Sequence, residues 1–265
     1  MHDVPGKSLE AGLSAPLWAA APLAEAATHP AVRLLPDELA RAGGYLAGRP
    51  RDDFVAGRIL VRVLAADLLN RVMPSGRGIL PGDLELTQYC PQCASVAHGT
   101  PKLRMAKTGQ SFSLSYARTA GWLLLALAPA NSRLGVDLAD LDDSAFSSGD
   151  GGMLEDYAYA REERERLELL PESERQRLRA RWWALKEAVA KASGEGLAGE
   201  AGIPVVAGKN VHPLLHSPGL RVLDLDPESL DSLGAMLPPH LVGSLVWAPG
   251  PEAWENRVGG AVGIA

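Results

Sequence analysis

Two carboxylates and two lysines are the residues of this chain best suited by type and spacing to do chemistry. Asp137 sits where an otherwise apolar run, Leu134-Gly135-Val136-Asp137-Leu138, meets a polar loop, and Glu187 lies between Lys186 and Lys191 near the end of a helical pattern. A buried carboxylate costs several kcal/mol, by rough estimate, unless it is paired or metal-bound. Asp137 therefore reads either as a residue capping the strand end or as a metal ligand. Glu187 can supply a second oxygen, and two carboxylates with phosphate oxygens and waters suit Mg²⁺. The alternative for Lys-Glu-Lys is a set of exposed helical salt bridges, which are common and weak. Only six of the 26 basic residues are lysine, and two of them fall in this segment, so its lysines draw notice.

Two other groups carry possible chemistry. Cys90 and Cys93 form a C-x-x-C pair followed by His98. That spacing allows three ligands of a zinc site, a turn with free thiols, or a redox disulfide. Arg51, Arg58 and Arg62 recur at spacings of seven and four, either as a phosphate clamp or as a solvated face.

The elements that would position these residues follow from periodicity. Leu178, Trp182, Leu185, Val189 and Ala192 recur at three and four, which predicts a helix over 172–193 with that stripe facing a core. Gly194 and Gly196 stop it. A second long helix is predicted over 52–70, a short one over 36–42 and a charged one over 154–169. Strands are expected at 17–23, 84–89, 111–116, 122–128, 134–138, 205–206, 220–225 and 241–247. Gly99-Thr100-Pro101-Lys102 and Lys107-Thr108-Gly109 read as turns, and 144–152 reads as a linker. Each long helix is followed by three short strands, and 122–129 and 243–249 both end in Ala-Pro. The order predicts an α+β fold of two similar halves, 16–130 and 131–250, with tails at 1–15 and 251–265 and a cleft between the halves where a ligand would sit.

Composition narrows the class. With 46% apolar and 22% charged residues over 265 positions the chain should fold as a globular protein. A net charge of −6 argues against a nucleic-acid coat or a polybasic membrane binder. The sequence has no apolar run of membrane-spanning length and no secretory pattern at its start, so a cytoplasmic protein is expected.

Gly135-Val136-Asp137, followed some fifty residues later by Trp183-x-x-Lys186-Glu187-Ala188-x-x-Lys191-Ala192-x-Gly194-x-Gly196-Leu197, resembles the signature of the 4′-phosphopantetheinyl transferases. The length and two-half build are similar to the surfactin-synthetase type. Gly57–Arg62, His98-Gly99-Thr100-Pro101 and Phe112-Ser113-Leu114-Ser115-Tyr116 match more weakly. The resemblance implies an enzyme that moves the phosphopantetheine arm of coenzyme A onto a serine of an apo acyl or peptidyl carrier protein and releases 3′,5′-ADP. It implies Mg²⁺ on Asp137 and Glu187, proton acceptance by Glu187, and a leaving phosphate held by Lys191. Lys186 would support the metal ligands or the pyrophosphate. Thr100, Pro101, Ser115 and Tyr116 would line the coenzyme A site, with Arg51, Arg58 and Arg62 as candidates for its 3′-phosphate. A monomer is implied, one half standing in for a dimer partner.

Three positions depart from the family pattern. Ala139 stands where a third acid is frequent, Tyr116 where a His is, and Thr100 where a Lys is. Residue 139 should face with Asp137 and Asp140 away from it, with a water in the vacant ligand position. The departures motivate an alternative, a homologue that binds coenzyme A or a carrier without efficient transfer.

Overall fold

A computed structural model describes residues 13–73, 78–89, 95, 99–147, 157–197 and 202–250. Among these, eight strands form two antiparallel sheets, flanked by helices, in a mixed α+β arrangement. The first sheet has the order β1-β5-β4-β3-β2, from β1 (Leu17–Pro22), β5 (Trp122–Pro129), β4 (Ser111–Thr119), β3 (Thr100–Met105) and β2 (Leu84–Tyr89). The second has the order β6-β8-β7, from β6 (Arg133–Asp140), β8 (Leu241–Ala248) and β7 (Arg221–Leu225).

Alternation along the strands assigns the layers. Ala19 and Ala21 of β1 pack with Leu60, Leu64 and Leu68 of helix α2 (Arg49–Val72). Trp18 and Ala20 pack from the other face against Leu134, Val136 and Leu138 of β6 and Leu245 of β8. The second sheet gives its remaining face to helix α4 (Glu172–Ser193), through Ala139, Val242 and Val246. The layers thus run helix, sheet, sheet, helix. In both halves the last strand pairs antiparallel with the first and with the penultimate one: β5 with β1 and β4, β8 with β6 and β7. The two Ala-Pro strands are therefore topological equivalents, both central and buried on both faces.

Several local expectations change. Four strands follow α2 and two follow α4, rather than three each. Thr100–Lys102 belongs to β3 rather than to a turn. Pro101 is tolerated there because β4 pairs with β3 only from Lys102 onward, so no ladder hydrogen bond is asked of its nitrogen on that side. The charged helix is shorter, α3 (Arg161–Glu168), because Glu163 turns back to accept the Ala160 N–H at 2.8 Å and fixes the helix start. Val205-Val206 forms no strand, since the Val206 N–H goes to Glu163 instead of a strand neighbour. Ser144–Phe146 of the expected linker is a 3₁₀ turn, and 148–152 lies outside the described residues.

The outer edge of β1 is covered from the second half. Ser232 Oγ accepts from Trp18 N–H at 3.1 Å, Ser232 N–H donates to the Trp18 carbonyl at 2.8 Å, and Asp231 accepts from Ala20 N–H at 3.0 Å. Among the described residues no helix is long and apolar enough to cross a membrane.

Candidate active site

Small residues bring α4 unusually close to β6. Ala180, Ala184, Ala188 and Ala192, spaced by four, form its most deeply buried row. They meet Gly135, where a Cβ would stand 1.9 Å from the Ala188 carbonyl oxygen and 2.8 Å from the Ala192 nitrogen. The larger stripe expected from sequence is turned aside. Val189 and Ala192 are buried, but Leu178 and Trp182 are half-buried and cover Tyr159 and Leu167 instead. Leucines facing the strand would hold the helix off, and the close approach requires alanine and glycine.

That approach lets Lys191 reach across. Its Nζ donates to Asp137 Oδ1 at 2.7 Å and to the Val136 carbonyl at 3.1 Å. Burial pushes the Asp137 carboxyl up from the usual carboxylate range, with Lys191 opposing. Burial raises Glu187 as well, the nearby Asp137 charge adds to the rise, and Lys191 again opposes it. The three thus form one coupled cluster. Ala139 faces with Asp137 as strand alternation requires, but it is 3% exposed and closed over by Ala180 and Ala184, which leaves no room for the expected water. Asp140 faces elsewhere and accepts from the Asp142 N–H. Among the described residues no three His, Cys, Asp or Glu side chains gather into a metal-holding group, so the cluster's carboxylates are two.

Lys191 also lines a cavity of about 420 Å³ between the halves. The first half contributes Gln88, Thr100, Pro101, Leu114, Ser115 and Tyr116. The second contributes Leu134, Ala190 and the glycine-rich end of α4, from Gly194 to Gly196. Gly194 and Gly196 take φ of 79° and 68°, the left-handed turn that ends the helix beside Thr100. Ser115 Oγ accepts the Val136 N–H at 3.0 Å and ties β4 to β6 at the cavity floor. Hydroxyls of Thr100, Ser115 and Tyr116 and the Lys191 ammonium make the wall rich in donors, with Glu195 as its acid. Asp137 and Glu187 are not wall residues themselves, and Lys191 links them to the cavity.

Other sequence candidates lie elsewhere. Lys186 is fully buried on a different face of α4, donating to Glu163 Oε2 at 2.6 Å and the Pro204 carbonyl at 2.7 Å, and does not join the cluster. The arginines are neither an exposed face nor a direct clamp. Arg62 donates to both Glu38 carboxylate oxygens, at 2.9 and 2.8 Å, and to the Leu84 and Arg58 carbonyls. Arg58 is buried beside it, its guanidinium 5.9 Å from the Tyr116 ring centre. Arg51 is exposed and is not a cavity residue. Cys90, Cys93 and His98 lie outside the described residues. Sequence reading missed Glu163 and Gln88. Glu163 had a signal, an acid three places after a helix-capping position, whereas Gln88 had none.

The segment that carries this cluster, from β6 through α4, is the part of the chain that known families recognise. Residues 133–213 match the profile of the 4′-phosphopantetheinyl transferase superfamily. The chain is also similar to the 4′-phosphopantetheinyl transferase HetI of Nostoc sp. (strain PCC 7120), with 31% identity over 172 residues. That alignment spans 63% of this chain and 62% of the relative. Asp137, Glu163, Lys186, Glu187 and Lys191 all fall within the superfamily segment.

Proposed function

We propose that the protein transfers the phosphopantetheine arm of coenzyme A to a serine of an apo carrier protein, acyl or peptidyl, releasing 3′,5′-ADP, in the manner of the surfactin-synthetase type. The observation that carries this reading is Lys191, which joins a buried carboxylate pair to a donor-rich cleft. An anionic ligand is the natural occupant of such walls.

Asp137 and Glu187 fit Mg²⁺ by their chemistry: hard oxygen donors, mutually repelling, each holding its proton more tightly than usual for want of a compensating cation. They would hold the ion, which supplies neutralisation of charge on the pyrophosphate. Glu187, with its raised proton affinity, takes the proton of the incoming serine as the serine oxygen bonds to phosphorus and the phosphoanhydride breaks. Lys191 presents its charge to the departing phosphate from the cavity wall. Incubation with coenzyme A, Mg²⁺ and several apo carriers, read by carrier mass, should show addition of the arm. Asp137→Asn and Glu187→Gln should each slow transfer by about 10²–10⁴-fold while retaining the fold. Full activity of both variants sinks the assignment.

The raised carboxyls also predict a linkage. Their folded values exceed the unfolded ones, so their contribution favours the folded state below the ordinary carboxylate range and is lost as pH rises through the elevated values. A cation bound by both removes that penalty and competes with protons. Mg²⁺ should therefore raise the melting temperature more at mildly alkaline than at mildly acidic pH. An equal shift at both would exclude these two carboxyls as the site.

A second reading is favoured by the packing at Ala139, which removes any third acid from the site. On it the chain binds coenzyme A or a carrier without efficient transfer. Coenzyme A binding with no mass gain on any carrier would select it.

A further inference from the structure

Behind the first-half wall of the cleft lies an excess of positive charge. Glu38 is shared by two buried arginines, Arg62 at 2.8 Å and Arg58 at 3.8 Å, so one carboxylate faces two guanidinium groups. Arg58 is 4% exposed, and its Nε has no hydrogen-bond acceptor. A desolvated guanidinium without a full counter-ion is costly unless something anionic approaches.

Gln88 is the polar group between that charge and the cavity. Its Oε1 accepts from Arg58 Nη2 at 3.0 Å and from Arg41 Nη1 at 2.7 Å. Guanidinium nitrogens only donate, so the atom they meet must be the amide oxygen, and the amide orientation is fixed without ambiguity. The Nε2 amino group, with no partner among the described residues, is left on the cavity side. Two guanidinium groups on the carbonyl oxygen polarise the amide and strengthen its N–H donors.

We propose that Gln88 is a specificity-determining residue of the cleft, a locked amide donor to a phosphate oxygen of coenzyme A that relays the surplus charge of the Arg58–Arg62–Glu38 group. This rests on the reading of the cleft as a coenzyme A site. It gives the wall an anion-directed donor although Thr100 and Tyr116 are uncharged there. It also gives the arginines of α2 a role at one remove, through Gln88.

Calorimetric titration of coenzyme A and of its analogue lacking the 3′-phosphate into the unaltered chain, Gln88→Glu and Gln88→Met tests it. Gln88→Glu keeps an acceptor for both arginines while replacing the donor with charge, and Gln88→Met removes the donor without charge. Gln88→Met should weaken coenzyme A about tenfold or more and Gln88→Glu further, with melting temperatures near that of the unaltered chain. In the transfer assay KM for coenzyme A should rise with kcat retained. Loss confined to coenzyme A assigns the contact to the 3′-phosphate, and loss with both ligands assigns it to the pyrophosphate. If the unaltered chain binds coenzyme A and both variants bind it within twofold, this inference is overturned alone. If the unaltered chain binds neither ligand, the coenzyme A reading falls and takes this one with it.

Discussion

Gly135→Ala is expected to unseat helix α4. The added methyl would lie 1.9 Å from the Ala188 carbonyl oxygen, about 1.5 Å short of ordinary contact at 3.4 Å. The Ala188 carbonyl carbon and the Ala192 nitrogen are both 2.8 Å away. All three are backbone atoms of a helix and cannot swing aside as a side chain would. The strand is equally fixed, since Gly135 pairs with Val246 in the centre of the β6–β8 ladder. The helix must therefore retreat as a body and thin its packing on Ala139, Val242 and Val246. We expect a loss of about 3 kcal/mol, the upper end for overpacking, read as a lower urea midpoint. The folded fraction should also transfer about 10²-fold more slowly, because a shift of this size breaks the Lys191–Asp137 hydrogen bond at 2.7 Å. A variant with unchanged stability would mean that strand and helix are not in this contact.

Lys186→Met is expected to destabilise the protein without altering the chemistry. Lys186 and Glu163 are both 0% exposed. Burial pushes the Lys186 ammonium down from its usual value, and Glu163 opposes that shift. Glu163 serves three backbone groups besides the lysine, accepting from Ala160, Val206 and Ala207 N–H. Methionine would leave this carboxylate buried without a counter-ion, at a cost of about 3–5 kcal/mol. Adding Glu163→Gln removes the stranded charge, so the double variant should lose less than the two single losses combined. Coenzyme A affinity of the folded protein should stay close to that of the unaltered chain. A normal melting curve combined with abolished transfer would return Lys186 to the reaction itself.

The coupled cluster could be read from sequence because its parts are local. Glu187 and Lys191 are one helical turn apart, and Asp137 interrupts an apolar strand. The direction of Lys186 could not be read. Adjacent helical residues point about 100° apart, and which face meets the strand depends on Gly135, a residue with no side chain to show in a hydrophobic pattern. Its partner Glu163 is 23 positions earlier. Arg58 and Arg62 have a spacing typical of exposed charge, and only Glu38, on a separate short helix, makes their burial possible. The 172–193 helix matched to the residue because Pro171 and Gly194 bound it, whereas Thr100–Pro101 was misplaced because proline signals turns more strongly than edge strands. Gln88 is an ordinary polar strand residue until two distant arginines hold its oxygen.

The covering of β1 has a consequence for synthesis on the ribosome. The first sheet has all five of its strands once Pro129 has been made. The outward backbone groups of Trp18 and Ala20, however, are met by Asp231 and Ser232, a hundred residues later. Until that segment emerges, the nascent first half carries an open strand edge able to pair with other chains. Translation thus imposes an interval in which this edge is unprotected, and its closure is one of the last events in building the molecule.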